Sequence, residues 1–182
     1  MDAVRRAARA SSVIARDLRN PRVEFRGRWL LDLADYREGR DRPPRPARVQ
    51  AARSLGPWFV GAAAYVEAAF AWRTGSDQAL PLAIASVQGL QASQLSPLCA
   101  LVRGLVVHLT ARPPESEIKG IIEVAQNLGP DWQAQVLALL GPHVSDEDRE
   151  RGRHAATSLL ASRPAEVRLD LLSPAECASL LG

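Results

Sequence analysis

Lysine is nearly absent from this 182-residue chain: 22 arginines stand beside a single Lys119. Cysteine, histidine and aromatic residues are also scarce, at two residues, three residues and 5%. Cys99 and Cys177 are too few to build the disulfide framework of a small secreted domain, and their spacing suits no metal site. They read as buried free thiols. His108, His143 and His154 form neither an HExxH motif nor an i, i+4 pair that would seat a metal. The longest apolar stretch, residues 59–72, is interrupted by Glu67 and falls short of the ~20 residues of a membrane-spanning helix. The start of the chain lacks the apolar core of a secretory signal, which predicts a cytoplasmic protein without membrane contact. Neither a GxxxxGK[ST] phosphate loop nor a GxSxG nucleophile elbow occurs. The expectation is no enzyme, no cofactor and no metal.

What is present is 47% hydrophobic and 24% charged, the balance of a soluble chain with enough apolar mass for a core. Collagen-like, disordered and disulfide-scaffold classes are excluded. The 30 alanines that accompany the arginines fit GC-rich coding. Charge, however, is unevenly divided. Residues 1–53 carry 14 arginines against 7 acids, a charge of +7, and the remainder carries −4 of the total +3. That asymmetry points to a partner.

Helical punctuation dominates from residue 44 onward. Apolar residues recur at three- and four-residue steps: Leu80, Ile84, Val87; Leu98, Leu101, Leu105, Leu109; Ile118, Ile122, Ala125; Trp132, Val136, Leu139, Leu140. Gly152, Ala156, Leu159 and Leu160 form a fifth face, and Val167 with Leu171 a short sixth. Gly129-Pro130, Ser96-Pro97 and Ser173-Pro174 place proline at a first helical turn, where its missing N–H is no loss. Ser173 with Glu176, and Ser145 with Asp148, have capping-box spacing. Before residue 44, Val4, Ala8, Ile14 and Leu18 predict a helix ending near Asn20-Pro21. Residues 23–36 fit a helix with Trp29, Leu30, Leu33 and Tyr36 inward, or a hairpin about Gly27. Helix is preferred, because every other element is helical. The proline-rich stretch 39–46 reads as a stiff linker. It divides a basic N-terminal region, 1–44, from a helical domain, 45–182.

Pro57, Pro97, Pro130 and Pro164 recur at intervals of 40, 33 and 34 residues, near the period of helix–turn–helix repeats. Ser54-Leu55-Gly56-Pro57-Trp58 returns as Asn127-Leu128-Gly129-Pro130-Asp131-Trp132. The expected fold is therefore all-α, with stacked antiparallel helix pairs forming an α-solenoid. The run from Asp131-Trp132 through Gly141-Pro142 to Ser145-Asp146-Glu147-Asp148 resembles one unit of the degenerate TPR/HEAT-like repeats of bacterial NLR-related signal-transducing NTPases. The resemblance spans roughly residues 114–174. It implies a helical-repeat architecture only, since the chain has no phosphate loop of its own.

Candidate chemistry is thin. Glu67 lies in an alanine-rich run, facing solvent or paired with an arginine such as Arg73, and His108 shares a face with Leu101 and Leu105 as a satisfied, partly buried imidazole. These two are where an enzymatic site would sit. Asp146, Glu147, Asp148 and Glu150 imitate a carboxylate cluster, but carboxylates at a helix start complement its dipole. Trp58 and Trp132 read as core, which leaves Trp29, between Arg26 and Arg28, as the candidate stacking residue. Arg5, Arg6, Arg9, Arg16 and Arg19 extend the basic set. Three readings of that front end stay open: a phosphate-backbone contact, a dock for an acidic protein face or another copy of the chain, or a solvated surface. The leading function is a non-enzymatic scaffold or adaptor that binds a protein partner. The alternative is a small helical subunit of a ribonucleoprotein, CRISPR-effector-like, holding RNA or DNA through Arg5, Arg6, Arg9, Arg16, Arg19, Arg26, Arg28 and Trp29.

Overall fold

The computed structural model describes residues 2–40, 44, 46–91, 96–162 and 171–182. Among them every regular element is helical: α1 (Asp2–Asp17), α2 (Pro21–Arg37), α3 (Pro46–Leu55), α4 (Pro57–Arg73), α5 (Ala79–Leu90), α6 (Pro97–Leu109), α7 (Glu115–Ala125), α8 (Pro130–Leu140), α9 (Asp146–Ser162) and α10 (Pro174–Leu181). Six of the ten open on proline, whose fixed φ is already helical. Three of the phased prolines, Pro57, Pro97 and Pro130, open α4, α6 and α8, and Pro164 lies outside the described residues.

Side-chain caps reinforce three of the proline-opened starts. Asn20 accepts the Val23 N–H at 3.2 Å and Ser96 accepts the Cys99 N–H at 3.1 Å. Ser173 and Glu176 form the reciprocal capping box. Ser145 and Asp148 do not: the Asp148 carboxylate accepts the Ser145 hydroxyl at 2.8 Å, being one methylene shorter than the glutamate of the full motif. Residues 23–36 lie within α2, so the hairpin alternative is overturned.

The described helices fall into two compact units, α1–α5 and α6–α10. In the first, α2 packs against α1 and also against α3 and α4. Phe25, Ala52, Phe59, Ala62 and Ala63 form a core there, with Trp29, Val49, Leu55 and Trp58 packed on it. The proline-rich stretch runs between α2 and α3, both in this unit, and Pro44 is buried. Residues 41–43 and 45 lie outside the described set.

Two expected faces are corrected. On α5 the buried residues are Ala79, Ala83, Ser86 and Leu90, whereas Ile84 is 42% exposed. Leu80 and Val87 are only half-buried. The cause is the closeness of α4. A Cβ on Gly89 would stand 2.5 Å from the Gly61 nitrogen, and Ser86 Oγ donates to the Gly61 carbonyl at 2.7 Å. Small residues and Leu90 face the partner helix, and Leu80, Ile84 and Val87 are displaced to the flank. On α1 the inward residues are Arg5, Ala8, Ser12 and Ala15, while Ile14 is 57% and Leu18 74% exposed. Here Gly27 of α2 crosses; a Cβ on it would lie 2.4 Å from Ser12 Oγ and 2.8 Å from the Ala8 carbonyl.

In the second unit α8 packs with α6, α7, α9 and α10, and its residues 134–140 are all buried. Leu101, Leu105, Ile118, Ala125, Val136, Leu139, Leu140, Gly152 and Ala156 are buried as the periodicity predicts, with Ile121 rather than Ile122 innermost on α7. Leu98, Leu109 and Trp132 are half-buried. The side chains of Leu159 and Leu160 and the whole of Val167 lie outside the described residues, and buried Leu171 precedes α10. Gln135 Oε1 accepts the N–H groups of Leu171 and Leu172 at 2.8 and 3.1 Å, satisfying two buried donors at once. Cys99 and Cys177 are buried free thiols. Burial pushes the Cys99 thiol up, which keeps it protonated.

Gly89→Ala should force α4 and α5 apart. The expected loss is about 1–3 kcal/mol, the usual cost of overpacking, read as a lowered denaturation midpoint in urea.

Candidate functional site

The N-terminal basic region separates into buried and exposed groups. Arg5, on the inward face of α1, is 6% exposed and reaches α2, where it donates to Asp35 at 2.6 Å and to Glu38 at 2.9 and 3.0 Å. It is a helix-pairing group. The bond from Arg5 holds the Glu38 carboxyl below the ordinary glutamate value. Glu24 is lowered chiefly by Arg28, one turn along α2, at 2.6 Å, and also meets Arg16 at 3.4 Å. Arg26 sits over the Trp58 ring at 5.6 Å.

Trp29 is not splayed for base stacking. Its Nε1–H donates to the Ala62 carbonyl on α4 at 2.9 Å, and its ring packs near Trp58 and Tyr65 at 6.4 and 6.5 Å. Arg6, Arg9 and Arg19 remain exposed and, among the described residues, without an ion pair. Of the eight candidates, the structure therefore leaves these three facing outward with free guanidinium groups.

Glu67 does not pair with Arg73. The Arg73 guanidinium donates to the Tyr36 and Arg40 carbonyls and lies 4.4 Å from the Tyr36 ring centre. Glu67 stays half-buried on α4, and burial raises its pKa. His108 is exposed rather than partly buried, with Nδ1 3.2 Å from the Leu139 carbonyl. A carbonyl only accepts, so Nδ1 carries the proton. The acids opening α9 pair along their own helix: Asp146 with Arg149, Glu147 and Asp148 with Arg151, and Glu150 with Arg153. Among the described residues no three His, Cys, Asp or Glu gather as a metal site, and no helix is long and apolar enough to cross a membrane.

Sequence reasoning missed the separation of Arg5 from Arg6 and Arg9. Its signal was available: Arg5, Ala8, Ser12 and Ala15 step by three and four along one face, the small-residue face that meets α2.

Arg5→Met should cost about 2–3 kcal/mol, because two carboxylates lose a partly buried partner, whereas Arg6→Met should change stability by less than about 0.5 kcal/mol. Glu38 and Glu24 are lowered below 4.5, so their contribution is present above that pH and is lost as pH falls. Acid titration of wild type and Arg5→Met should show a shallower acid-side loss in the variant. Glu67 has the opposite sign. Its native pKa is raised above 4.5, so it costs stability as pH climbs past that value. Glu67→Gln should raise the thermal midpoint at neutral pH and leave it unchanged well below the glutamate range.

With this geometry in hand, comparison with known proteins adds no relative: no protein-family model, curated protein or solved structure matches the chain.

Proposed function

We propose that the chain is a non-enzymatic α-helical scaffold or adaptor that binds a protein partner through the surface of stacked, HEAT/TPR-like helix pairs. The carrying observation is α5. No residue of this helix is charged, and its buried face is made of Ala79, Ala83, Ser86 and Leu90. Leu80, Ile84 and Val87 are left along its flank, with Ile84 exposed. Apolar side chains held on a rigid crossing are what a partner's apolar anchors recognise. The stacked-pair reading is supported by the packing of consecutive helices, α1 on α2, α3 on α4, α4 on α5 and α7 on α8. Exposed Arg6, Arg9 and Arg19 would add steering toward an acidic surface.

A photo-crosslinking side chain at Ile84, with exposed Glu123 on α7 as control, identifies the partner, which is then titrated as a purified protein. Ile84→Asp should weaken that complex by about tenfold or more while the helical circular dichroism is unchanged. A purified complex indifferent to Ile84→Asp, or turnover of a substrate by the chain, would sink the reading.

One observation favours the ribonucleoprotein alternative: Arg6, Arg9 and Arg19 lie free on α1 and the turn after it. If these three hold phosphates, binding to duplex must fall with salt at a log–log slope of about −2.7, and to single strands at about −2.1. Replacing all three by alanine must flatten it.

A further inference from the structure

α1 has a second face that α2 does not use. Ala3, Ala7 and Ala10 are exposed there, followed by Ile14 and Leu18 at 57% and 74% exposure, with Val13 beside them at 55%. The Leu18 N–H still bonds to the Ile14 carbonyl at 2.9 Å, so the face continues past the formal end of the helix. Its sizes are graded, with alanines at the start and large residues at the end. Its flank carries Arg6 near the start and Asp17 near the end, both exposed and neither ion-paired among the described residues.

The geometry points to a second copy of this chain as the occupant, with α1 lying antiparallel on α1 of the partner about a two-fold axis between Ala10 and Ser11. In that register Ala3 meets Leu18 and Ala7 meets Ile14, each twice, so that every large side chain seats over an alanine. Arg6 falls beside Asp17 of the other copy, and Asp17 beside its Arg6. An isologous contact demands this self-complementarity in both size and charge. The competing occupants match less of the face. A strongly acidic helix would set its own charge against Asp17, and a phosphate backbone gives Ile14 and Leu18 nothing to pack on. A pair of helices about 24 Å long lies at the small end of specific interfaces, so the dimer is a concentration-dependent one. Self-association through α1 goes beyond the adaptor reading and leaves the α5 flank free, so either can fail without the other.

Sedimentation equilibrium of the full chain from about 5 to about 500 μM should show a monomer–dimer equilibrium. Ile14→Asp and Leu18→Asp should each weaken it by about tenfold or more with helical content unchanged, since both sites are exposed in the single copy. Arg6→Asp should weaken it by about two- to fivefold for each of the two equivalent pairs, and Arg6→Asp with Asp17→Arg should restore it. Under oxidation Ala10→Cys, near the axis, should form a disulfide-linked dimer and Ala3→Cys, at the end, should not; the native thiols are buried. A chain that stays monomeric across the range overturns the proposal and leaves the face to a different protein or an anionic surface. So does a dimer indifferent to Ile14→Asp, a charge swap that fails to rescue, or an Ala3→Cys crosslink, which would mean parallel pairing.

Discussion

α4 can pass in van der Waals contact with the backbone of α5 because Gly61 and Gly89 present no Cβ where the helices cross, and the first unit is arranged around that contact. A crossing this close turns small side chains inward and lets Ser86 bridge to the Gly61 carbonyl. The same helix receives α2 on another side. The Trp29 indole is anchored on the Ala62 carbonyl, and Phe25 meets Phe59 edge to face at 5.3 Å. At its C-terminal end, Arg73 stacks over Tyr36 and Phe70 and satisfies carbonyls at the end of α2. One helix thus sets the positions of two others by different means: absent side chains on one side, aromatic and guanidinium contacts on the other.

Arginine has structural and surface roles within the same short stretch. Arg5 points into the α1–α2 interface and finds two carboxylates; Arg6, one residue on, is turned outward by the helical rotation and finds none. Some arginines of the front end are therefore internal, held by acids of the same region. Pairing inside the unit cancels cations and acids together and so leaves the net +7 of residues 1–53 unchanged. The second unit follows a related economy. Its central α8 is buried from Ala134 to Leu140, and the one polar residue of that run, Gln135, ties down the backbone entering α10.

Much of this architecture was legible in the sequence. Proline positions, caps and three- and four-residue apolar steps marked helices, because these signals act within a few residues and depend on backbone sterics. Cys99 and Cys177 were recognisable as buried because they lie on apolar faces. The inward faces of α1 and α5 were not, since a hydrophobicity pattern assumes that the largest apolar residues pack. A close crossing inverts that rule. Small residues then win, and Ile14, Leu18 and Ile84 are left outside.

The sequence by itself determined that the chain is helical, where most of its helices start, and that the basic charge collects in its first third. Only the tertiary structure decided which arginines are spent and which are free, what Trp29 touches and which apolar residues face out. Those outcomes rest on partners about 30 residues away along the chain, Arg5 with Asp35 and Glu38, Trp29 with Ala62, Gly61 with Gly89. Local propensity carries no information across such distances; helix packing does, because two helices can approach closely only where small residues of both meet at the same point.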